Sequence, residues 1–225
     1  MNAMILAAGR GERMRPLTDD CPKPLLNAGG RPLIDWHLDA LARAGCSRVV
    51  INTAWQGEKL RAWVGDGHAR GLDVRYSDEG DQALETAGGI ARALPLLGPQ
   101  PFAVINGDIF TDFPFERLAL PTGHLAHLVL VDNPPQHPEG DFALEGGRVT
   151  TATGARLTFA GIGVYRPALF SGLSAQPLRL APILRRAIAA GLVSGEHYRG
   201  VWQDIGTPER LRELDARLTG AHPPR

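Results

Sequence analysis

Strand-like and helix-like segments alternate through the first half of this chain, and that rhythm restricts the fold more than any other feature. Strand candidates occupy 3–8 (AMILAA), 48–52 (RVVIN), 73–77 (DVRYS) and 102–108 (FAVINGD). Helical patterns lie between them. IDWHLDALARAG puts Ile34, Leu38, Leu41 and Ala42 on one face, with Gly45 as its stop signal. GEKLRAWVG turns Leu60, Trp63 and Val64 inward, and ETAGGIARALPLL forms the third helix. This order predicts an α/β fold, a mostly parallel sheet with helices on both faces. In such sheets ligands bind beyond the carboxyl ends of the strands.

The second half is less regular. A strand is expected at 126–133, and FALEGGRVT reads as a hairpin turning at Gly146-Gly147. LTFAGIGVYR is a long strand and 180–190 an amphipathic helix. VWQDIGT is a strand end, and PERLRELDARL a last helix with Pro208 in its first turn and Thr207 as its N-cap. A chain of 225 residues favours one domain. It is expected to cover 1–218, with 219–225 as a flexible tail.

Two bounds on function follow from composition. The formal net charge is +0, so no overall field draws the protein to nucleic acid or an anionic membrane, and any anion site is local. Cys21 and Cys46 do not form a CxxC pair, which points to reduced thiols in a cytoplasmic protein. The apolar run at the start is too short for a signal segment, and no stretch is long enough to span a bilayer.

The loop after the first strand, LAAGRGERMRPL, carries the chemistry. Gly9 and Gly11 match the start of G-x-G-x-x-G, but Met14 holds the third position, and nothing supplies a Walker A lysine-serine pair. What remains is a glycine turn with bare amides, which can form an anion nest, followed by Arg13, a bidentate phosphate ligand. A glycine turn with solvated arginines fits the same residues. Lysine is scarce: Lys23 and Lys59 are the only two among 24 basic residues. Lys23 sits between prolines in CPKPL. Asp108 in NGD and Asp204 in WQDIGTPE each follow an apolar strand. Either one alone reads as a turn or helix cap. Together, on the edge that carries the glycine loop, they point to a magnesium site, because Mg²⁺ takes few protein carboxylates and completes its shell with water and phosphate.

LAAGRGERMRPLTDDCPKPL, ETAGG, NGD and WQDIGTPE, in that order, resemble the signature blocks of the sugar-1-phosphate nucleotidyltransferases. The resemblance covers the whole chain except the tail. It implies a Rossmann-like, mostly parallel mixed sheet of the GT-A type. It further implies UTP and a sugar 1-phosphate as partners and Mg²⁺ as cofactor. Direct in-line displacement would give a UDP-sugar and pyrophosphate. On matching positions, Ala8, Gly9, Gly11, Glu12, Arg13 and Lys23 hold the triphosphate, and Glu79, Glu85, Thr86 and Gly88 surround the base. Asn106, Asp141, Thr158 and Gly161 meet the sugar phosphate. Asp108 and Asp204 hold the metal, and Arg13, Lys23 and Asp108 are the catalytic set.

Two positions depart from the family pattern. Glu85 replaces the first glycine of the usual base-binding turn, and no lysine precedes AGIGVY, where Arg156 is the nearest cation. Transfer of GMP to mannose 1-phosphate, or of TMP or UMP to glucose 1-phosphate, uses the same aspartates and is a neighbouring reading. A nucleotide-sugar glycosyltransferase would instead show Asp-x-Asp where this chain has NGDIF. A sugar-nucleotide sensor has little need of both aspartates. Monomer and homodimer remain equally open.

Overall fold

The computed structural model describes residues 1–80, 83–151 and 154–220. The chain begins with β1 (Asn2–Leu6), passes through the signature loop, and makes a small ribbon from β2 (Asn27–Ala28) and β3 (Arg31–Pro32). Then come α1 (Leu33–Arg43), β4 (Arg48–Thr53), α2 (Gly57–Val64), β5 (Asp73–Asp78), α3 (Glu85–Leu97) and β6 (Phe102–Asn106). The second half holds β7 (Ile109–Thr111), β8 (Ala126–Val131), β9 (Ala143–Glu145), β10 (Arg148–Thr150) and β11 (Thr158–Tyr165). It closes with α4 (Leu180–Ala189), β12 (Val193–His197), β13 (Trp202–Asp204) and α5 (Pro208–Thr219). Of the segment 219–225, expected as a tail, Thr219 is helical and Gly220 caps α5 in the left-handed region, and 221–225 lie outside the described residues.

Nine strands form one sheet in the order β5-β4-β1-β6-β11-β8-β12-β10-β9. The pairs among β5, β4, β1 and β6 are all parallel, as the alternation of the first half requires. The chain then changes habit. β11 runs antiparallel between β6 and β8, β12 is parallel to β8, and the β9–β10 hairpin closes the edge. Gly146 and Gly147 turn that hairpin with φ of 56° and 80°, the doubly positive pair a tight two-residue turn demands.

Period-two alternation along the strands separates two cores. Ala3, Ile5, Val49, Ile51, Ala103 and Ile105 face α1 and α2, where they meet Ile34, Leu38, Leu41, Leu60 and Val64. Met4, Val50, Phe102 and Val104 face the other way, against Ala87, Ile90, Ala93 and Leu97 of α3 and Ile183, Leu184 and Ile188 of α4. A third, smaller cluster joins Met14, Leu26, Leu33, Ile205, Leu211 and Leu214. It fastens the signature loop to α5. The inward set proposed for α2 needs one correction. Leu60 and Val64 are buried, but Trp63 is 55% exposed. Its indole N–H instead sits 3.3 Å from the Asp35 carboxylate. Trp55 is likewise exposed rather than packed between a helix and the sheet. Among the described residues no helix is long and apolar enough to cross a membrane.

An aromatic cluster pins β6 to β11. Phe102, Tyr165 and Phe170 are all buried, with ring centroids 5.8 to 6.4 Å apart. The Tyr165 hydroxyl has no hydrogen-bond partner among the described residues. Burial raises its pKa, so it stays protonated. An unpaired buried hydroxyl costs stability that a hydrogen atom in its place does not. Tyr165→Phe is therefore expected to stabilise the fold by about 1 kcal/mol, read as a higher urea midpoint with an unchanged m-value. A lower midpoint would show that the hydroxyl has a partner after all.

Candidate active site

The carboxyl ends of β1, β4, β5 and β6 share one edge, and the polar residues just beyond them interlock. Asn52, near the end of β4, accepts a hydrogen bond from the Ala7 N–H (2.7 Å) and donates to Glu79 Oε1 (2.7 Å). The other Glu79 oxygen accepts from the Leu84 N–H at 2.7 Å. Both carboxylate oxygens of Glu79 are thus committed inside the protein, although the residue lines the cavity. Glu79 shapes one wall of the cavity through these bonds. Gly89 leaves the room: a Cβ there would lie 2.4 Å from Glu79 Oε1.

Beyond Ala7 the chain turns over the sheet edge. Gly11 adopts φ 68° in the left-handed region, and a Cβ there would crowd Thr18 and Lys23 at 3.1 and 3.3 Å. The Thr18 hydroxyl donates to the Gly11 carbonyl at 2.8 Å. Met14 is fully buried in the third core, which leaves its neighbours Glu12 and Arg13 exposed on the outer side of the turn. Donors from the far side clasp the returning strand of the loop. The Trp55 indole, the Gln56 amide and the Lys59 ammonium donate to the carbonyls of Thr18, Asp19 and Asp20. Arg10 stacks over Trp55 at 4.4 Å.

Lys23 then points back into the site. It opens a short turn, Lys23–Leu25, and is only 7% exposed. Its Nζ donates to Asp108 Oδ2 at 2.7 Å. Asp108 reaches this position because Gly107 packs against β1. The Gly107 N–H donates to the Leu6 carbonyl (2.9 Å), and a Cβ would stand 2.6 Å from that oxygen. Behind Asp108, His37 of α1 is buried, and burial lowers its pKa to about 4 despite the nearby Ile109 backbone and the Asp108 charge. It is therefore neutral at pH 7 and adds no positive charge beside the pair.

Asp204 arrives from the other end of the chain. β13 pairs antiparallel with β7, placing Asp204 opposite Ile109, and the Ile205 N–H donates to the Asp108 carbonyl at 2.8 Å. Asp204 forms an ion pair with Arg210, on the first turn of α5. Thr207 caps that helix, its hydroxyl accepting from the Arg210 N–H.

Three hollows meet at Asn106. The first, about 350 Å³, is lined by Ala8, Gly9, Lys23, Glu79, Glu85, Thr86 and Asp108 among others. A second, about 200 Å³, contains Asp108, Asp204, Thr158 and Trp202. A third, about 280 Å³, lies between Asp141, Phe159 and the start of α4. Asn106 can stand at the junction because β11 bulges beside it. The register shifts between Phe159 and Ile162, and Gly161 there has φ 73°.

The structure thus brings together Ala8, Gly9, Lys23, Glu79, Glu85, Thr86, Asn106, Asp108, Asp141, Thr158 and Asp204. It places the others differently. Gly11 shapes the turn, and Glu12 and Arg13 lie outside the hollows. The Arg13 guanidinium approaches Gly206 instead, 3.2 Å from where a Cβ would be. Gly88 faces protein: a Cβ would meet the Gln176 carbonyl at 2.0 Å. Gly161 lies under the Asn106 amide. Two further positions are held from within. Asp141 accepts from the Phe159 N–H (2.8 Å) and meets His137 (3.2 Å), and the Thr158 hydroxyl donates to Asn133 (2.9 Å). Glu85 keeps φ at 58°, so the turn holds the left-handed backbone of a glycine position with a side chain on it. Arg156 is exposed and lines none of the three hollows, whereas Arg179 lines the third. Asn52, Phe159, Arg179, Trp202 and Arg210 were not anticipated. Of these only Trp202 lay inside a quoted motif.

Gly161 offers a direct check on this geometry. An added Cβ would sit 2.5 Å from Asn106 Nδ2, at a backbone angle that side chains rarely adopt. Gly161→Ala is expected to lower the unfolding free energy by about 1–3 kcal/mol and to shift the Asn106 amide resonances in an NMR spectrum. Unchanged Asn106 signals would show that the bulge does not position that side chain.

Comparison with known proteins bears on the whole chain. The nucleotidyl transferase family profile matches residues 2–142. An N-acetylmuramate alpha-1-phosphate uridylyltransferase of Neisseria meningitidis serogroup B is 52% identical, over 98% of this chain and 99% of that one. A protein of the same name from Caulobacter vibrioides is 34% identical over 97% of both. Among solved structures, a candidate glucose-1-phosphate thymidylyltransferase of Bacillus anthracis superposes with a TM-score of 0.85 at 20% identity, covering 100% of this chain and 98% of that one. The inositol-1-phosphate CTP transferase of T. maritima gives 0.79 at 19% identity, over 98% and 95%. These two superpositions establish a shared mixed-sheet, GT-A-like fold. Together with the profile match and the two long alignments, they show that the chain is a member of the nucleotidyl transferase family.

Proposed function

We propose that the protein transfers UMP from UTP to N-acetylmuramic acid α-1-phosphate, releasing UDP-N-acetylmuramic acid and pyrophosphate. The observation that carries this reading is the Lys23–Asp108 pair. It lies where the hollow bounded by the glycine loop meets the hollow bounded by Asp204. The names of the two relatives aligned over nearly the whole chain support this choice of base and sugar. A cytoplasmic location belongs to the same proposal, and the unpaired thiols Cys21 and Cys46 suit a reducing compartment.

The chemistry asks little of a general base. The attacking group is a phosphate oxygen of the sugar 1-phosphate, largely dianionic at pH 7 because its second pKa lies near 6. The obstacle is repulsion between two anions, so catalysis is positioning and charge neutralisation. The amides of Ala8 and Gly9 cradle the triphosphate, as bare amides do in an anion nest. Lys23 stands beside the α-phosphate and offsets charge that builds there. Arg13, on the outer side of the loop, stabilises the departing pyrophosphate. Asn106 orients the acceptor across the junction.

Asp108 and Asp204 fit a divalent cation. Both line one hollow with hard oxygen donors, which a divalent cation would share with Lys23 and Arg210. Among the described residues no group of three or more potential ligands is present. That set suits Mg²⁺, which keeps several waters and binds through one or two carboxylates. When bound, Mg²⁺ supplies Lewis-acid neutralisation of the phosphate oxygens.

Pyrophosphate release should be measured across UTP, CTP, GTP and dTTP, each with the 1-phosphates of N-acetylmuramic acid, N-acetylglucosamine, glucose and mannose. UTP with N-acetylmuramic acid 1-phosphate is expected to give the highest kcat/KM, and chelation of the metal should abolish it. A better rate with GTP and mannose 1-phosphate would overturn the substrate assignment and leave the family intact. Lys23→Ala is expected to lower kcat by roughly 10²–10³-fold, and Asp108→Asn at least as much. A chiral α-thio UTP should react with inversion at phosphorus, whereas net retention would exclude a single displacement.

A further inference from the structure

The third hollow has a wall that phosphate chemistry does not use. Its lining contains neither Asp108 nor Asp204, so it lies away from the phosphoryl end of the site. It joins the metal-side hollow at Asn106 and Phe159, which gives a bound sugar a path from one to the other. Phe142, Leu180 and Leu184 make part of the wall apolar. Arg179, the residue before α4, is its one cation. The Arg179 side chain is exposed and makes no hydrogen bond or ion pair with the described residues. Two carboxylates, Glu85 and Asp141, line the same hollow, and Asp141 is held by the Phe159 N–H and His137 rather than by Arg179.

We propose that Arg179 is a specificity-determining residue that binds the carboxylate carried by the acceptor sugar. This rests on the acceptor reading above. N-acetylmuramic acid 1-phosphate is anionic at two places, the phosphate on C1 and the lactyl carboxylate on C3. The phosphate belongs beside Asp108 and Asp204. The carboxylate, on the far side of the ring, then enters the third hollow. There a guanidinium without a side-chain partner among the described residues presents a planar fork that matches a carboxylate with two parallel hydrogen bonds. The apolar wall meets the lactyl methyl group. An acceptor without the lactyl group leaves Arg179 unpaired and loses that contact. Discrimination then comes from an attractive group built for one substituent, the kind of contact that separates substrates best.

The test compares three acceptors on the wild-type protein and on Arg179→Gln and Arg179→Lys. The acceptors are N-acetylmuramic acid 1-phosphate, its carboxyl methyl ester, and N-acetylglucosamine 1-phosphate. The wild type should prefer the free acid over the ester by about ten- to a hundredfold in kcat/KM, the worth of a hydrogen bond to a charged group. Arg179→Gln should lose that preference through the KM for the acid, with the KM for UTP unmoved, and Arg179→Lys should keep part of it. A preference that survives in Arg179→Gln would overturn the assignment of Arg179 while leaving the acceptor reading standing. An equal loss for all three acceptors would also overturn it, because the arginine would then serve the phosphate or the fold. If the wild type does not turn over N-acetylmuramic acid 1-phosphate at all, the acceptor reading fails, and the role of Arg179 fails with it.

Discussion

Burying a lysine until it is 7% exposed is costly without a partner close by, and in this protein the partner is Asp108. The contact spans 85 residues of sequence and closes the signature loop onto the sheet. Its demands propagate. Asp108 must stand at a fixed height above β6, which Gly107 provides by packing on the Leu6 carbonyl. Lys23 must point inward, which requires the loop to fold back. The left-handed turn at Gly11, the Thr18 bond and the buried Met14 all serve that reversal. Removing either member would leave the other charge half-desolvated and unpaired, so loop shape and charge placement form one constraint.

A second polar network plays the same part on the β4–β5 side of the site. Asn52 and Glu79 connect the ends of β4 and β5 with the chain entering the glycine loop and the chain entering α3. Each group is buried and each of these donors finds an acceptor, the condition under which buried polar residues rigidify a site rather than weaken it. The rest of the site rests on backbone. Asn106 depends on a bulge in β11, and Asp204 on the pairing of β13 with β7. The side chains that face the cavity are therefore a thin layer over groups that face one another.

This division explains what the sequence discloses and what it does not. The parallel half of the sheet was legible because each strand and helix carries its own period, and the glycine stops and the Thr207 cap are local chemistry. The family likeness pointed to Lys23, Asp108, Asn106 and Asp204 because they sit in short motifs. Motifs do not say which way a group faces. Gly88 is needed for close approach to the segment at 176–178, and Glu79 spends both oxygens inside the protein. Trp63 followed the helical period and yet remains exposed, because the indole of a large side chain at the edge of an apolar face can reach a carboxylate outside it. Arg179 gave no local signal whatever. Its meaning comes from the hollow it lines, and that hollow is assembled from α3, β6, β11 and α4, segments no local pattern joins.

Arg156 and Arg179 show that the place of a cation in the fold, not its order in the chain, decides which hollow it lines. Along the sequence Arg156 is the natural substitute for a cation ahead of AGIGVY, yet its side chain stays in solvent while its carbonyl accepts from Asn133. Arg179 follows β11 by more than a helical turn and returns to the site only because α4 packs on the same face of the sheet as α3. A cation on β11 would stand beside the junction and the phosphate. One at the start of α4 stands across the sugar from it. The change of element moves positive charge from the reacting end of the acceptor to its far end. On the proposal for Arg179, that charge acts on the choice between acceptors rather than on displacement.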